Sequence, residues 1–379
     1  MSDGTGHARM SRRSRIRVGI IGSGWIAQKG HIAGFRSHEQ ATIVAVCSRA
    51  REKAEEVARE YDIPQVFTDY RDLLASKDVD VVTIATPDHL HYPMALHAIA
   101  AGKHVICEKP LAMNYAETRE MYEAAEARGL KHMTGFTWRF TPMAMKMREL
   151  VEGGFLGRVF HVSSTTLVGF GGYPFGPRTV DRPINGFLFA AGSHLIDLTM
   201  SFVGAIREVL CDAHQHVKEP PVLVNWEGKV REAEVDDSTA FLARFENGAQ
   251  GIFHTSRLAT GRPSGGLMRI EIHGDKGGLV HEMAFGGPGR VLGSTAEEKQ
   301  LRAVRIPPSL SRDLDLDCLD LESVLTHCWA NLTGEMVRAM DTDTRPVPSF
   351  CEGMKAQEVM EAALQSSRER RWVRLPLTA

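Results

Sequence analysis

The residues best suited to chemistry in this chain are an acid, a base and a proline in succession, Glu108, Lys109 and Pro110. They follow the short apolar run His104-Val-Ile-Cys107, which predicts a buried parallel strand. In open α/β sheets, ligands bind in the crevice beyond the carboxyl ends of the strands. A lysine in such a crevice loses its proton readily when burial or a neighbouring positive charge lowers its pKa. Lys109 is therefore the first candidate for an acid/base group, although the same tripeptide taken alone is more often a surface loop.

The beginning of the chain predicts a dinucleotide site. The apolar segment from Ile16 to Ile21 is typical of a strand, and Gly22-Ser-Gly-Trp-Ile-Ala27 follows it before a helical stretch. This spacing puts glycine at a tight turn, glycine where the backbone nears a pyrophosphate, and a small residue where helix packs on strand. The helix N-terminus then offers free N–H groups to the phosphates. The residues expected to contact the cofactor here are Gly22, Gly24, Trp25 and Ile26.

The end of the second strand indicates which dinucleotide is preferred. The strand from Thr42 to Cys47 runs into Ser48 and Arg49. A free ribose 2′-hydroxyl usually meets an acid at this point, whereas an arginine accommodates a 2′-phosphate. Ser48 does not repel the phosphate and Arg49 can pair with it, helped by Lys53. We therefore expect NADP in preference to NAD, with the alternative that Arg49 only caps a solvated helix start.

Strands and helices alternate from Ile16 to Thr137, which predicts an N-terminal Rossmann domain over residues 15–137 with a doubly wound parallel sheet. Residues 1–14 have the composition of a disordered leader. Residues 138–379 are rich in strand-forming segments, two of them joined by the hairpin turn Asn247-Gly248. They predict a C-terminal α/β domain with a large, open, mostly antiparallel sheet, one face of which must be covered by the first domain or by a second subunit.

Composition excludes several classes of protein. With 379 residues, 43% hydrophobic and 24% charged, and a net charge of -2, the chain is typical of a folded globular protein without a field that attracts nucleic acid. Its six cysteines form no Cys-x-x-Cys pair, which argues against a zinc site or a disulfide framework. We expect a cytoplasmic protein with no membrane partner, because no apolar run reaches the length of a span or of an export signal behind Arg12-Arg13.

Two further segments could suggest metals, and neither has a convincing ligand set. Thr86-Pro-Asp-His-Leu-His91 contains two histidines without a supporting cluster, and we interpret it as a polar loop that borders the cofactor through Thr86, Pro87 and His91. The acidic stretch from Asp313 to Asp320 lacks the glycine and final glutamate of a calcium loop and indicates a solvated approach to a helix. No metal is expected.

Several motifs in a fixed order together resemble the glucose-fructose oxidoreductase / inositol dehydrogenase / rhizopine catabolism (Gfo/Idh/MocA) family of NAD(P)-dependent oxidoreductases. The resemblance extends from Ile16 to Leu375. Its motifs are Gly22-Ser-Gly-Trp-Ile-Ala27, Thr86-Pro-Asp-His-Leu-His91, Ala101-Gly-Lys-His-Val-Ile-Cys-Glu-Lys-Pro110, Arg139-Phe-Thr-Pro142 and Gly192-Ser-His-Leu-Ile-Asp197.

The resemblance implies hydride transfer at a carbon of a sugar, cyclitol or derivative, without a metal, in a homodimer or homotetramer. It places Lys109 beside the nicotinamide and the substrate hydroxyl, often with a cis Lys-Pro peptide, and makes His194 a general base or a hydrogen-bond partner of the substrate. It also adds Glu108 and Arg139 to the residues near the cofactor.

One departure from the family pattern matters for function. Many sugar dehydrogenases of the family carry an aspartate one helical turn before the histidine, where this chain has Ala190, and Asp197 is expected to brace the helix instead. Lys109 or His194 alone would then handle the proton, unless His194 is a core histidine. Two alternatives stay open: a glycosidase-type enzyme that retains its NAD, and a dinucleotide-binding sensor without activity.

Overall fold

The computed structural model describes residues 15–169, 186–216, 222–224, 230–232, 236–262, 266–312 and 314–377. The predicted leader at 1–14 and residues 170–185 lie outside the described residues. Within those ranges, no helix has the length and apolar character needed to cross a membrane.

The first sheet is built from short apolar runs that the chain buries on both sides. Its strands are β1 (Ile16–Ile21), β2 (Ala41–Cys47), β3 (Gln65–Phe67), β4 (Val81–Ile84), β5 (His104–Cys107) and β6 (His132–Thr134). All neighbouring strands run parallel, in the order β3-β2-β1-β4-β5-β6. This is the doubly wound order of a Rossmann domain, so the prediction for the first half of the chain is confirmed.

Helices connect these strands and cover both faces of the sheet. They are a π-helical turn (Ala27–Ile32) that continues as α1 (Ala33–Arg36), α2 (Arg51–Tyr61), α3 (Tyr70–Ala75), a 3-10 turn (Asp88–Leu90) that leads into α4 (His91–Ala100), and α5 (Tyr115–Ala127). Strand order reverses between β1 and β4, and a ligand crevice is expected at that point, beyond the carboxyl ends of the strands.

The rest of the chain forms a second, large sheet, a separate two-stranded sheet and the remaining helices. The elements are a 3-10 turn (Thr137–Phe140), α6 (Pro142–Glu152), β7 (Val159–Leu167), a π-helical turn (Leu188–Gly192) that continues as α7 (Ser193–Val203), β8 (Ile206–His214), β9 (Val222–Val224), β10 (Val230–Glu232), β11 (Ser238–Phe245), β12 (Gln250–Ser256), β13 (Leu267–Gly274), β14 (Gly277–Ala284), β15 (Gly289–Thr295), β16 (Arg302–Val304), α8 (Pro308–Ser311), α9 (Leu321–Thr342), α10 (Phe350–Glu369) and β17 (Val373–Arg374).

Nine of these strands form one sheet in the order β16-β15-β14-β13-β7-β12-β11-β8-β17. Every pairing is antiparallel except that of β7 with β12, which confirms a mostly antiparallel sheet. The predicted hairpin turn joins β11 to β12, with Gly248 at φ +88°, a conformation that glycine adopts without strain. Burial alternates along β11, where Phe241 and Phe245 point into the core and Leu242 points outward.

The two long C-terminal helices return to the Rossmann half. α9 packs against α1, where a Cβ on Gly34 would come within 2.9 Å of the Trp329 carbonyl oxygen. α10 packs against α5 and β6, and the amide of Phe350 donates to Nδ1 of His132 at 3.0 Å. β6 ends at Thr134 and the next strand, β7, belongs to the second sheet, while α9 and α10 pack on the Rossmann half, so the domain boundary at residue 137 stays a prediction.

Candidate active site

The glycine turn after β1 has the shape that a bound pyrophosphate requires. Gly22 has φ +124°, and a Cβ there would come within 2.3 Å of the Ala85 carbonyl oxygen at the end of β4. A Cβ on Gly24 would meet nothing within 4 Å, so the backbone there borders open space. Ala27 is fully buried where the helix meets the sheet. These three positions fit a dinucleotide, because a side chain is excluded at the turn while space remains beside the helix N-terminus.

The neighbouring cofactor candidates border the same crevice. Trp25 is 49% exposed at the start of the helix, and Ile26 behind it is partly buried. At the end of β2, Ser48 accepts a hydrogen bond of 2.8 Å from the hydroxyl of Ser23 in the glycine turn. This contact ties the two loops that would hold the adenosine half of the cofactor.

No carboxylate occupies the end of β2. Arg49 and Lys53 lie there, at the beginning of α2, and both side chains are exposed. A 2′-phosphate at this point would meet these two cationic side chains, with Glu52 as the acid in the first turn of α2.

The segment after β4 is locked to the segment after β5. Thr86 and Pro87 are partly buried at the sheet edge, while His91 is buried and its ring spans the two segments. Nε2 of His91 lies 2.8 Å from the Thr86 carbonyl oxygen, and Nδ1 lies 2.8 Å from the Pro110 carbonyl oxygen. Both ring nitrogens are thus engaged by the main chain, and His91 shapes the crevice wall; its predicted contact with the cofactor stays a prediction.

Between these contacts lies an acid that sequence reasoning did not assign. Asp88 is buried, its Oδ1 accepts from the amide of His89 at 3.0 Å, and its Oδ2 has no hydrogen-bond partner among the described residues. The pKa of His89 is lowered, mainly by burial. A buried carboxylate oxygen without a partner in this loop is a polar group available to a ligand.

Lys109 reaches across from the first sheet to the second half of the chain. Its peptide bond to Pro110 is cis, as the family resemblance implied. Its Nζ donates to the carbonyl oxygen of Ala190 at 2.7 Å. Burial lowers the pKa of the Lys109 ammonium, and the carboxylates of Glu108 and Asp88 offset part of that effect. The structure therefore brings Lys109, whose pKa is lowered, into contact with the turn that leads into α7, the helix of the second catalytic candidate, His194.

His194 stands near the beginning of α7 and is 6% exposed. Its ring packs near Trp138 and Phe136, with centroid distances of 5.2 and 6.0 Å. Nδ1 has no hydrogen-bond partner within the described residues. Burial, followed by the positive charge of Lys109, lowers the pKa of His194 well below its usual range, so the ring is neutral. A neutral imidazole with an unused nitrogen can orient a hydroxyl or take its proton.

Arg139, a predicted cofactor contact, is buried and forms an ion pair with an acid of α7. Its guanidinium donates two hydrogen bonds, of 2.7 and 2.6 Å, to the carboxylate of Asp197 in α7, and both side chains are buried. Burial raises the pKa of Asp197, with Arg139 working against the change. Asp197 thus braces the helix of His194, as expected, and the contact of Arg139 with the cofactor stays a prediction.

Beneath Lys109, Glu108 is held by a residue that sequence reasoning missed. Nε2 of His31 lies 3.3 Å from Oε1 of Glu108, and the amide of Lys109 donates to Oε2 at 3.0 Å. His31 follows the buried Ala27 by four residues on the same helical face, and this spacing was the available signal. No cluster of three or more histidine, cysteine, aspartate or glutamate side chains suited to a metal occurs in the described ranges.

Comparisons with known proteins agree with this geometry. Residues 16–136 match the description "Oxidoreductase family, NAD-binding Rossmann fold", and residues 144–280 match "GFO/IDH/MocA C-terminal domain". The levoglucosan dehydrogenase of Pseudarthrobacter phenanthrenivorans is 27% identical over 392 residues, covering 95% of this chain and 98% of that protein. The D-glucoside 3-dehydrogenase of Escherichia coli is 30% identical over 273 residues, covering 70% of this chain and 77% of that protein.

The solved structure of a levoglucosan dehydrogenase in complex with NADH and levoglucosan is similar over 96% of this chain and 100% of that one, with a TM-score of 0.83 and 27% identity. Both sequence halves and the whole fold therefore lead to the same conclusion: this chain is an oxidoreductase of the Gfo/Idh/MocA family.

Proposed function

We propose that this protein interconverts a secondary alcohol and a ketone on a sugar, a cyclitol or a derivative, with NADP or NAD as the hydride carrier. The observation that carries the proposal is the partly buried Lys109, whose ammonium meets the Ala190 carbonyl at 2.7 Å beside the neutral ring of His194. Relatives named levoglucosan dehydrogenase and D-glucoside 3-dehydrogenase support this substrate class.

The proton chemistry follows from burial. When bound, the nicotinamide accepts the hydride in oxidation and returns it in reduction. In the oxidation direction, the neutral amine of Lys109 takes the proton of the substrate hydroxyl, and the Ala190 carbonyl then holds the ammonium that forms. His194 orients the same hydroxyl oxygen through its unpaired ring nitrogen. In the reduction direction, Lys109 returns the proton to the oxygen of the ketone.

Ala190 stands where many sugar dehydrogenases of the family carry an aspartate, and its main chain contacts Lys109. The side chain at this position is a methyl group and cannot accept a hydrogen bond. The main-chain carbonyl oxygen of Ala190 accepts from Nζ of Lys109. The carboxylates that act on the charge of Lys109 are those of Glu108 and Asp88. The lysine therefore has both a hydrogen-bond acceptor and negative charge nearby, which supports proton transfer without an Asp-His pair.

Lys109→Met tests the assignment. Turnover is measured as the absorbance change of the nicotinamide over a panel of sugars, cyclitols and their keto derivatives, with both cofactors in both redox states. Removing the acid/base group should lower kcat by about 10²–10⁴-fold, while the dinucleotide Kd measured by calorimetry stays close to the wild-type value. Lys131→Met, at a lysine paired with the exposed Asp343, is the matched control. Unchanged turnover in Lys109→Met, or silence of the wild-type protein across the whole panel, would reject the proposal.

The proposal includes a preference for NADP, supported by the serine and the two cationic residues at the end of β2. Ser48→Asp places a carboxylate where it repels a 2′-phosphate and accepts from a 2′-hydroxyl. The ratio of kcat/KM for NADP to that for NAD should fall roughly 10- to 100-fold, which corresponds to about 1.4–2.8 kcal/mol of discrimination. A wild-type protein that already favours NAD would contradict this preference.

The proposal also covers assembly and compartment. We expect a homodimer or homotetramer in which a second copy covers the outer face of the nine-stranded sheet, because Ile252 is 57% and Leu242 44% exposed there as direct neighbours in the ladder. The cytoplasm is the proposed location, since all six cysteines are free thiols.

A further inference from the structure

A buried histidine beneath the acid/base lysine has no part in the reaction described so far. His31 lies in the π-helical turn after the glycine motif, and its side chain is fully buried. Its ring packs on Trp329 of α9, with 3.7 Å between the ring centroids. A Cβ on the preceding Gly30 would come within 2.6 Å of the indole nitrogen of Trp329. The imidazole is therefore confined between the helix of the glycine motif and α9.

The two ring nitrogens of His31 contact two different strands. Nδ1 contacts the hydroxyl of Thr83 in β4, and Nε2 lies 3.3 Å from Oε1 of Glu108 at the end of β5. Burial lowers the pKa of His31, so the ring is neutral and carries one proton. Burial works to raise the pKa of Glu108, but the contacts with His31 and Lys109 outweigh it and lower that pKa. An ionised carboxylate only accepts, so Nε2 carries the proton and Nδ1 accepts from Thr83.

The second oxygen of Glu108 fixes the main chain of the lysine. Oε2 accepts from the amide of Lys109 at 3.0 Å, and a Cβ on Gly135 would come within 3.2 Å of that oxygen. On the other side, the Pro110 carbonyl is 2.8 Å from Nδ1 of His91. Lys109 is thus held on both sides of its α-carbon, and the position of its Nζ depends on Glu108 staying in place.

We propose that His31 is a positioning residue for the acid/base lysine: it holds the Glu108 carboxylate, which fixes the Lys109 main chain and keeps a negative charge beside the ammonium. This inference rests on the proposed function, because it gives His31 a part in that reaction. It also accounts for a polar ring at a fully buried position, where an imidazole is costly unless its nitrogens are bonded.

Three charged or titratable groups among the described residues face Lys109: Glu108 directly after β5, Asp88 of the 3-10 turn, and His194 of α7. Of these three groups, Glu108 is the one that contacts His31. The pKa of His31 is also lowered by the nearby His91. Without the His31 N–H, only Lys109 offsets the burial of Glu108, so the pKa of Glu108 rises. Lys109 then loses an adjacent negative charge and gives up its proton at lower pH.

The test compares His31→Leu, His31→Gln and Thr83→Val with the wild-type protein. Leucine removes both ring nitrogens, glutamine keeps an N–H at the position of Nε2, and valine removes only the hydroxyl that sets the tautomer. Thr118→Val is the matched control, since the buried Thr118 bonds only to the carbonyl of Tyr115 within its own helix. The first readout needs no substrate: the rate at which an amine reagent modifies Lys109 as a function of pH, read from the Lys109 peptide by mass spectrometry. The second is the pH profile of kcat.

We expect the titration of Lys109 to move to lower pH in His31→Leu, with kcat reduced about 10- to 100-fold, a smaller change in Thr83→Val, and recovery of most of the activity in His31→Gln. An unchanged Lys109 titration in His31→Leu and in Thr83→Val would overturn the inference. If His31→Leu does not fold, the contrast between Thr83→Val and Thr118→Val decides in the same way. Absence of turnover in the wild-type protein rejects the proposed function instead, and the modification experiment still tests His31.

Discussion

At the scale of single residues, burial sets the charge state of the groups around the crevice. Lys109 and His194 both lose affinity for protons when water is excluded, and neither has a carboxylate in direct contact with its side chain among the described residues. A lysine with a lowered pKa beside a neutral imidazole is suited to exchanging a proton with a hydroxyl. Buried imidazoles away from the crevice, such as His281, affect stability rather than chemistry.

His281 should make the fold sensitive to acid. Its ring lies between Ile270 and Val291 in the sheet, both ring nitrogens lack partners in the described part of the chain, and burial lowers its pKa from 6.5 to about 4. Between these values the unfolded chain binds a proton that the folded chain does not, so stability is complete above pH 6.5 and falls as the pH drops toward 4. The loss amounts to roughly 3 kcal/mol.

His281→Leu should remove this contribution to the pH dependence of the free energy of unfolding, as measured by urea unfolding at a series of pH values. The slope that remains belongs to other buried histidines with lowered pKa, such as His132. His161→Leu, at an exposed position of β7, serves as the control. Equal slopes in the wild-type protein and in His281→Leu would show that the ring is not buried in its neutral form.

Sequence alone could predict the residues of the site that belong to local motifs, and it could not predict their partners. Gly22 is recognisable because a tight turn needs a positive φ, and Lys109 because it ends a short apolar strand. The contact of Lys109 with Ala190 spans 81 residues and that of His31 with Glu108 spans 77. Such contacts are set by the order of strands and by helix packing, which no local pattern encodes.

At the scale of elements, α7 carries His194 and is fixed to the rest of the site by one ion pair. Arg139 comes from the 3-10 turn that follows β6, so its bidentate contact with Asp197 ties the end of the Rossmann sheet to the helix of the second half. The orientation of His194 depends on this brace.

Arg139→Met should leave the buried Asp197 without a partner and cost about 3–5 kcal/mol of stability. The double variant Arg139→Met/Asp197→Leu should recover most of that loss, because no unpaired charge remains. Thermal unfolding measures both, and kcat should stay low in the double variant, since α7 lacks its brace. A double variant as unstable as the single one would mean that packing, not charge, dominates this contact.

Elements whose buried and exposed residues alternate regularly, or that are bounded by a turn motif, could be predicted from sequence. The bounds of elements that are buried on most sides could not. The hairpin turn Asn247-Gly248, which joins β11 to β12, was predicted because its signal lies in two adjacent residues. The bounds of β14 are hard to derive from sequence because nearly every position along it is buried, so alternation is absent. α9 begins where the acidic stretch indicated an approach to a helix, and Asp320 caps it by accepting from the amide of Ser323 at 2.8 Å. Its length had no clear signal, because its buried residues extend around most of the helix.

At the scale of the whole molecule, the nine-stranded sheet has helices on one face and an open face on the other. Ile252→Glu should place a charge at the centre of the proposed contact between copies and convert the oligomer to monomers, as measured by light scattering after size-exclusion chromatography. Val347→Lys, at an exposed apolar position in the loop before α10, is the control that keeps the oligomer. A wild-type protein that is monomeric at all concentrations would refute the proposed assembly.

The packing of Trp329 on Gly30 and Gly34 has a consequence for synthesis on the ribosome. The helix that follows the glycine motif emerges among the first elements, whereas the indole that covers it comes from α9, near the end of the chain. Although N-terminal domains generally fold first during translation, the Gly30 and Gly34 face of this helix stays uncovered until α9 has also left the exit tunnel. A nascent chain stalled before Trp329 would offer that face to chaperones.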